Sequence, residues 1–313
     1  MRILFTGASS FTGFWISNYL AKAGHEIFAT FRSKKKEYDG LRKSRIEELD
    51  SSIEQLWGLE FGDQKFLQLI KNNQFDLFCH HGSSTKNYRS PTFDIFSAVQ
   101  ENTFNSREAL TILKENNCQG VLFTGTTFEP YEGIGDPQFR AFNPYGLSKH
   151  FSYEIFRYEC EALKLPLGKF VIANPFGPYE EARFTDYLIR TWGQFKEPHI
   201  TSPNYIRDNI PVSLLASNYV QYCENYDSFS TNNRMLPSLY VAPQWSFANL
   251  VASKFSKCVG RQLSIKSEVQ KSFEEPLIKI NSMLGTHISP SWNEDLAWDE
   301  TCDYWLKIYK SQA

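Results

Sequence analysis

Residues 1–13, MRILFTGASSFTG, place an apolar run directly before a turn that contains two glycines. The run at Arg2–Thr6 predicts a buried strand, and residues 14–23 have the apolar spacing of a helix that ends at Gly24. Glycines in such a turn let backbone N–H groups approach a phosphate, and the dipole of the following helix attracts an anion. Against the alternative of an ordinary βα turn, this arrangement predicts a site for the pyrophosphate of a dinucleotide.

The same alternation of short apolar runs and helical patterns continues through the first half of the chain. Further strands are predicted at 25–31, 76–80, 120–124 and 168–173, and further helices at 64–72, 105–115 and 145–162. Strands separated by helices form βαβ units with parallel strands. We therefore expect an α/β fold, a Rossmann-type doubly wound parallel sheet.

After Pro178 the pattern changes, because prolines divide the chain into shorter elements with helices near 185–193, 214–224 and 246–257. We expect a dinucleotide-binding domain at 1–175, joined by a further segment from later in the chain. Residues 176–313 are then mainly a smaller C-terminal lobe that binds the substrate. Such a lobe closes a cleft at the carboxyl ends of the strands, where open α/β sheets bind their ligands.

Composition and charge exclude several classes of protein. The 313 residues carry 33 Lys and Arg against 35 Asp and Glu, so bulk charge gives no attraction for nucleic acid. The six cysteines are scattered without a C-x-x-C pair, which indicates reduced thiols in a reducing compartment. No apolar run reaches the length of a membrane span or of the core of a signal peptide. The expectation is a soluble cytoplasmic protein with no nucleic-acid or membrane partner.

The adjacent histidines His80 and His81 are the most conspicuous candidates for a metal site. Neighbouring side chains on a strand point to opposite faces, and no carboxylate or cysteine completes an obvious ligand set. We therefore predict no metal.

The end of the second predicted strand indicates which dinucleotide binds. Proteins that read NAD place an acidic residue there for the ribose 2′-hydroxyl, whereas a basic residue accommodates the 2′-phosphate of NADP. Residues 31–36 read FRSKKK, with no acidic residue before Glu37. A solvated basic loop is the alternative reading. The stretch favours NADP(H) as cofactor, with NAD possible.

Tyr145 and Lys149 lie one turn apart on the predicted helix at 145–162 and share a face. An adjacent ammonium stabilises a phenolate and lowers the pKa of the tyrosine, which lets it exchange a proton with a carbinol while hydride moves to or from a nicotinamide. The strand end at 123–127, FTGTT, lies shortly upstream and offers hydroxyls for the same substrate oxygen. The spacing alone is common by chance, so its context carries the prediction.

These pieces occur in the order of a known family. The chain carries, in sequence, the turn TGASSFTG at 6–13, EFGD at 60–63, DLFCHHGS at 76–83, Asn102 before a helix, FTGTT at 123–127, Tyr145 with Lys149, NPFGP at 174–178, and Arg207 with Asp208. In this it resembles the extended short-chain dehydrogenases/reductases, the NAD-dependent epimerase/dehydratase family. Members act mostly on nucleotide-activated sugars, so the resemblance implies an oxidoreductase with a nucleotide-sugar substrate. It also implies a homodimer formed through the helix of Tyr145.

The resemblance implies a set of cofactor-binding residues. By position these are Gly7, Ser10, Phe11 and Gly13 around the pyrophosphate, Arg32 with Ser33 and Lys34 at the ribose, Glu60 and Phe61 beside the adenine, and Gly82, Ser83, Asn102 and Thr124 along the cofactor path. Tyr145 and Lys149 contact the cofactor as well as acting in catalysis.

It also implies catalytic and substrate residues. Tyr145 corresponds to the acid/base and Lys149 to the cation beside it. The catalytic hydroxyl of the family stands four residues before a tyrosine, so Tyr131 selects Thr127, with Thr126 as the alternative. The positions that contact the sugar nucleotide in the family are Thr85, Thr126, Asn174 and Arg207.

Several positions depart from the family pattern. Ser10 replaces the middle glycine of the turn, and Val171 stands where the family often has arginine. Residues 212–214, VSL, replace V-D-D near the sugar site. Dehydratases carry Asp-Glu after the catalytic threonine, whereas here Phe128 precedes Glu129, which disfavours dehydration.

Three functions remain open from the sequence. The basic strand end favours NADPH-dependent reduction of a keto group, expected at C4, on a nucleotide-linked sugar. A 4-epimerase with tightly bound NAD is the first alternative. A non-catalytic dinucleotide sensor on the same fold is the second, since fold does not fix function. The joint presence of Thr127, Tyr145 and Lys149 speaks against a sensor.

Overall fold

A computed structural model describes residues 1–230, 233–273, 275–283, 289–290 and 292–312. The elements of the first half are β1 (Arg2–Thr6), α1 (Phe11–Lys22), β2 (Glu26–Phe31), α2 (Gly40–Glu47), β3 (Glu54–Trp57), α3 (Gln64–Asn72), β4 (Leu77–His80), α4 (Ile95–Thr103), α5 (Ser106–Glu115), β5 (Gly120–Thr126), β6 (Gly133–Ile134), α6 (Pro144–Leu163) and β7 (Leu167–Ile172). Those of the second half are β8 (Asn174–Phe176), α7 (Phe184–Gly193), β9 (His199–Ile200), β10 (Ile206–Pro211), α8 (Val212–Glu224), β11 (Arg234–Met235), β12 (Tyr240–Pro243), α9 (Gln244–Val259), β13 (Lys266–Ser267), β14 (Ile278–Asn281) and α10 (Glu294–Lys310).

The central sheet has seven strands in the order β11-β7-β5-β4-β1-β2-β3, and every neighbouring pair is parallel. The chain runs outward from β1 through β2 to β3, then returns to the other side of β1 and continues through β4 and β5. The strand order thus reverses between β1 and β4, which opens a crevice at their carboxyl ends. The predicted Rossmann-type doubly wound sheet is confirmed.

Helices cover both faces of this sheet and create two apolar cores. On one face α1 and α8 pack over the sheet, with Ile16 and Leu215 fully buried in the same cluster as Phe5. On the other face α3, α5 and α6 pack together, and Phe156 of α6 is fully buried with Phe78. Burial on both faces explains why the strands read as continuous apolar runs.

The C-terminal half builds a smaller layer with its own core. A second sheet has the order β12-β10-β14-β6, with β8 paired to β10, and α7, α9 and α10 enclose Trp192, Phe255 and Trp305. Chain crossings tie the two parts together, because β6 joins the second sheet while α8 and β11 return to the central one. The domain boundary between residues 175 and 176 stays a prediction.

The sequence patterns missed the helices α2, α4 and α10, the strand β3, and the short strands β6 and β8 to β14. In α2 only Arg45 and Ile46 are buried, and in α4 only Ala98 and Asn102, so neither helix presents a continuous apolar stripe. Within the described residues, the helices are all too short or too polar to cross a membrane.

Candidate active site

The turn between β1 and α1 is shaped by backbone contacts that exclude side chains. Gly7 has a φ of +87°, and a Cβ there would lie 2.8 Å from the backbone nitrogen of Gly82, at the end of β4. A Cβ at Gly13 would collide with the carbonyl oxygen of Gly7. The two glycines therefore let β1, α1 and β4 meet closely around one point.

Ser10, the irregular residue of the turn, is the N-cap of α1. Its Oγ accepts a hydrogen bond from the backbone N–H of Gly13 at 3.0 Å and donates one to the carbonyl of Gly7 at 2.8 Å. α1 consequently begins at Phe11, three residues earlier than predicted. The departure from glycine at Ser10 is accommodated because the serine side chain satisfies a backbone donor that the helix leaves free.

A cleft of about 690 Å³ runs from this turn across the carboxyl ends of the strands. Of the predicted cofactor residues, its walls contain Gly7, Ser10, Phe11, Arg32, Glu60, Phe61, Gly82, Ser83, Asn102, Thr124, Tyr145 and Lys149. Of the predicted substrate residues, they contain Thr85, Thr126 and Asn174. Residues from the whole length of the first half thus converge on one cavity.

Five predicted residues do not line the cleft: Gly13, Ser33, Lys34, Thr127 and Arg207. Gly13 acts beneath the turn through the close approach described above. The basic loop turns away after Arg32, where Ser33 lies near the Tyr38 hydroxyl and the Lys34 N–H donates to Glu37.

Arg207 is engaged elsewhere by the C-terminal half. Its guanidinium donates to the carbonyls of Pro276 and Leu277, pairs with Glu275 at 3.1 Å, and lies over the ring of Tyr205. Arg89 and Arg183 line the cleft, whereas Arg207 does not. The predicted contact of Arg207 with a diphosphate stays a prediction.

The ribose end of the cleft is basic, with one residue that the sequence did not reveal. Arg32 is joined in the lining by Arg42 and Tyr38. Arg42 lies ten positions further along the chain on α2, a helix that was not predicted. Carboxylates are present too, since Arg32 lies 3.7 Å from Glu60 and 4.0 Å from Glu101.

The two histidines, His80 and His81, lie in different structural environments. His80 stacks on Phe156 and its Nε2 lies 3.1 Å from the carbonyl oxygen of Asn102. In the described part of the chain, no group of three or more potential ligands that could hold a metal is found. Burial lowers the pKa of both imidazoles to about 3, so both rings are neutral at pH 7.

His81 lies in the cleft wall and ties the turn to β5. Its Nε2 lies 3.1 Å from the Oγ1 of Thr12 and 3.3 Å from the Oγ of Ser10, and its Nδ1 lies 3.1 Å from the Oγ1 of Thr124. The ring stacks on Phe5. Sequence reasoning missed this role, since the signal for it is a set of contacts between distant segments.

The Tyr145 end of α6 is docked on the loop after β5. Asn143 caps the helix by accepting a hydrogen bond from the Gly146 N–H at 2.8 Å, and Pro144 fills the first helical position. A Cβ at Gly146 would collide with the carbonyl of Phe128. The asparagine, proline and glycine around Tyr145 therefore fix where the phenol enters the cleft.

Tyr145 and Lys149 both reach the cleft, and the expected lowering of the tyrosine pKa by the lysine stays a prediction. Burial raises the pKa of Tyr145, and the charge of Glu129 adds to the rise. Burial lowers the pKa of Lys149 to about 8. The Nζ of Lys149 lies 4.4 Å from the centre of the Phe123 ring.

The threonines at the end of β5 differ in their exposure to the cleft. Both are buried, but Thr126 is among the residues that line the cleft and Thr127 is not. The choice between the two threonines as the catalytic hydroxyl stays a prediction.

The remaining departures lie in packed positions. Val171 is fully buried in β7, and Leu214 is fully buried at the start of α8. Ser213 accepts a hydrogen bond from the indole of Trp292 at 3.1 Å. On the substrate side, Asn174 donates to Asn209 at 2.6 Å, which orients its amide at the cleft wall.

The fold and the cleft define an α/β protein with a dinucleotide-type crevice and a Tyr-Lys pair in its wall. The model of the NAD dependent epimerase/dehydratase family matches residues 3–235. The chain therefore belongs to this family and is an enzyme of the extended short-chain dehydrogenase/reductase type. A comparison with curated protein sequences finds no match.

Solved structures with the same fold include three 4-epimerases. UDP-glucose 4-epimerase of Thermotoga maritima with UDP-glucose has a TM-score of 0.74 at 15% identity, over 98% of this chain and 99% of that one. UDP-glucuronic acid 4-epimerase of Bacillus cereus with UDP-glucuronic acid and NAD has 0.72 at 16%, over 99% and 100%. UDP-N-acetylglucosamine 4-epimerase of Methanobrevibacter ruminantium M1 with UDP-N-acetylmuramic acid has 0.73 at 15%, over 98% of each chain. At these identities the likeness establishes the fold.

Proposed function

We propose that this enzyme is a nucleotide-sugar 4-epimerase that works with a bound nicotinamide dinucleotide. The observation that carries the proposal is the convergence of Tyr145, Lys149 and the hydroxyl end of β5 on the wall of one cleft that begins at the glycine turn. The sequence favoured net reduction, but the likeness to three 4-epimerases over nearly their whole lengths supports the epimerase alternative better.

The cleft fits a dinucleotide by its shape. The Gly7–Gly13 turn leaves no room for a Cβ beside the start of α1, and the capped end of α1 presents backbone N–H groups to a pyrophosphate. Arg32 and Arg42 line the cleft, and the adenosine ribose is proposed to bind beside them. A bound nicotinamide dinucleotide would supply the acceptor and donor of hydride at the sugar carbon.

The protein's own residues handle the proton and the oxygen. Tyr145 exchanges the proton of the sugar hydroxyl, and Thr126, with Thr127 as the alternative, holds that oxygen by a hydrogen bond. Lys149, protonated below its pKa of about 8, favours the phenolate when the tyrosine has given up its proton. Asn174 and Arg183 contribute polar contacts for the nucleotide part of the substrate.

Glu129 argues against dehydration in this active site. Its carboxylate is fully buried and pairs with Lys169 at 2.6 Å, and it is not part of the cleft wall. The partner position is Phe128, which has no proton to exchange. Neither member of the dehydratase acid/base pair is therefore presented to a substrate.

Reduction of a keto sugar with NADPH is the second candidate. Two observations favour it, namely the basic ribose end with Arg32 and Arg42 and the raised pKa of Tyr145, which keeps the phenol protonated and ready to donate. NADP(H) as cofactor, a homodimer and a cytoplasmic location stay predictions.

The experiment that separates the candidates identifies the cofactor and follows the sugar. Purified protein is denatured, the released dinucleotide is identified by mass spectrometry, and a panel of UDP-, GDP- and dTDP-sugars is followed by NMR. If the protein is an epimerase, its denaturation releases a bound dinucleotide. The intact protein then interconverts C4 epimers without a net change in absorbance at 340 nm. Stoichiometric consumption of NADPH would instead establish the reductase, and no turnover of any sugar by intact protein would remove both.

A further inference from the structure

A cluster of charged side chains is buried behind the end of β5, and the proposed reaction does not use it. Lys169 of β7 pairs with Glu129 at 2.6 Å and with Glu132 at 2.9 Å. The side chains of these three residues are at most 4% exposed. Arg234, on the edge strand β11, pairs with Glu132 at 3.3 Å and balances the charge of the cluster.

The cluster packs against the strand end that lines the cleft. One carboxylate oxygen of Glu129 accepts the backbone N–H of Thr126 at 2.8 Å while the other binds Lys169. A Cβ at Gly125 would lie 2.7 Å from Glu129 Oε1 and 2.7 Å from Lys169 Cε. The Glu129 carboxylate and the Lys169 side chain therefore pack closely against the backbone of Gly125 and Thr126.

The same cluster reaches α6. The Nζ of Lys169 lies 4.0 Å from the centre of the Tyr153 ring, one turn beyond Lys149 on that helix. Lys169 thus contacts both the element that carries the phenol and the segment that carries the hydroxyls. Removing charges from water costs free energy, and apolar residues in their place often stabilise a core equally well. The position of the Glu129–Lys169 pair therefore points to a role beyond stability.

We propose that Glu129 and Lys169 are positioning residues for the reaction: Lys169 holds the Glu129 carboxylate, which fixes the backbone at Thr126 and thereby sets the hydroxyl end of β5 against Tyr145. This inference rests on the proposed function, in which Tyr145 and a threonine hydroxyl act on the same sugar oxygen. It goes beyond the proposed function because it gives Glu129, which stands at the position of a dehydratase acid/base, a positioning role.

Electrostatics supports the assignment of Glu129. Besides burial, the groups that shift the pKa of Tyr145 are Glu129, Tyr88 and Arg183, and those that shift the pKa of Lys149 are Glu129 and Lys169. Glu129 raises both pKa values. Its neutralisation therefore moves the basic limb of the pH profile, which lies near the Lys149 pKa of about 8, to lower pH.

The test compares Glu129→Gln with two matched controls. Glu132→Gln removes the other carboxylate on Lys169 but does not touch the strand end, and Glu154→Gln removes a charge from the surface of α6, where Glu154 pairs with Arg157. Hydrogen exchange of the amides at 125–128 is measured on the protein without added substrate. We expect faster exchange in Glu129→Gln and unchanged exchange in both controls.

Kinetics gives the second readout, with the sugar nucleotide that the wild type turns over. In Glu129→Gln we expect kcat to fall roughly tenfold to a hundredfold, because the hydroxyl is misplaced relative to the phenol. KM and the affinity for the dinucleotide stay close to wild type, and the basic limb of the pH profile, near the Lys149 pKa of about 8, moves to lower pH. If Glu129→Gln does not fold, the double variant Glu129→Met with Lys169→Met removes both charges together and should show the same exchange and kcat effects.

Two outcomes would overturn the proposal. One is equal exchange at 125–128 in Glu129→Gln and Glu132→Gln, which would reduce the pair to general core stability. The other is an unmoved pH profile in a folded Glu129→Gln protein. Because exchange is measured without substrate, a failure of the proposed function, seen as no turnover by the wild type, is distinguishable from a failure of this inference.

Discussion

At the scale of single residues, the chemistry of the site depends on how deeply each group is buried. The spacing of Tyr145 and Lys149 is visible in the sequence, and both side chains reach the cleft. Their proton affinities are not visible in the sequence. Desolvation and the charge of Glu129 raise the pKa of Tyr145, whereas sequence reasoning expected Lys149 to lower it. The spacing of two residues along a helix follows from the local sequence. Their pKa values depend on burial and on charges that distant segments bring close.

The threonine pair gives a prediction at this scale. Thr126 lines the cleft and Thr127 does not, so Thr126→Val should lower kcat more than Thr127→Val. General acid/base arrangements of this kind contribute roughly 10² to 10⁴ in rate, and loss of the oxygen contact costs a part of that. Steady-state kinetics of the two isosteric variants checks it. A larger fall in kcat for Thr127→Val would instead identify Thr127, which the family pattern selects, as the catalytic hydroxyl.

Arg32 and Arg42 test the preference for NADP. Both line the ribose end, and a guanidinium favours a 2′-phosphate through charge-assisted hydrogen bonds. Arg32→Ala and Arg42→Ala should each weaken NADPH binding by about tenfold and leave NADH binding within about twofold. Fluorescence titration with both dinucleotides measures the ratio. Equal losses for both dinucleotides would show that the arginines do not read the phosphate.

At the scale of elements, the turn before α1 shows what a motif contains and what it leaves out. The glycine spacing predicted a strand, a turn and a helix, and each is present. The motif did not indicate that Ser10 caps the helix or that His81, which follows β4, contacts the turn. The cap is a local contact between Ser10 and Gly13, but the His81 contact joins segments about 70 positions apart, which no local pattern records. The short or polar elements α2 and α4 were missed for a related reason, since their stability comes from tertiary contacts.

The cap at Ser10 predicts a stability effect. Ser10→Ala leaves the Gly13 N–H without its acceptor and should lower the free energy of unfolding by about 1 kcal/mol. Ser10→Gly should lower the free energy of unfolding by only about a few tenths of a kcal/mol, because glycine is itself tolerated at this position. Urea denaturation of the two variants provides the comparison. An equal loss for both would argue that Ser10 does not act as a cap.

The buried histidines predict how stability depends on pH. Their pKa in the folded protein is about 3, below the usual value of 6.5, so the unfolded chain binds more protons between these values. The free energy of unfolding should therefore fall as the pH drops from 6.5 towards 3. In His81→Leu the slope should be smaller by about 1.4 kcal/mol per pH unit. Urea midpoints from pH 4 to 7 measure it, and an unchanged slope would place the proton uptake elsewhere.

At the scale of the whole molecule, the doubly wound parallel sheet could be predicted and the cleft wall on the substrate side could not. The βαβ rhythm and the parallel pairing follow from local periodicity and the handedness of crossovers. Arg183 lines the cleft and Arg207 does not, because the segment at Pro276 and Leu277 takes up the donors of Arg207. That segment comes about 70 positions later, in the lobe where the sequence patterns are weakest.

The surface of α4 and α6 predicts a homodimer. Phe96 is 87% exposed and Tyr158 is 73% exposed, and Phe151 of α6 lies two turns before Tyr158 on the same face. Phe96→Glu together with Tyr158→Glu should convert a dimer to a monomer in sedimentation or light scattering, with the fold intact by circular dichroism. A wild-type monomer at micromolar concentration would contradict the prediction.

The most direct test of the central claim is the rate of Tyr145→Phe beside that of Tyr158→Phe, which removes a hydroxyl from the exposed face of the same helix. Both are measured on the sugar nucleotide that the wild type turns over, with dinucleotide affinity determined in parallel. The account predicts that kcat falls at least about 100-fold in Tyr145→Phe with the dinucleotide still bound, and stays at the wild-type value in Tyr158→Phe. Equal kcat values for wild type and Tyr145→Phe would contradict it, since proton exchange would then not pass through this phenol.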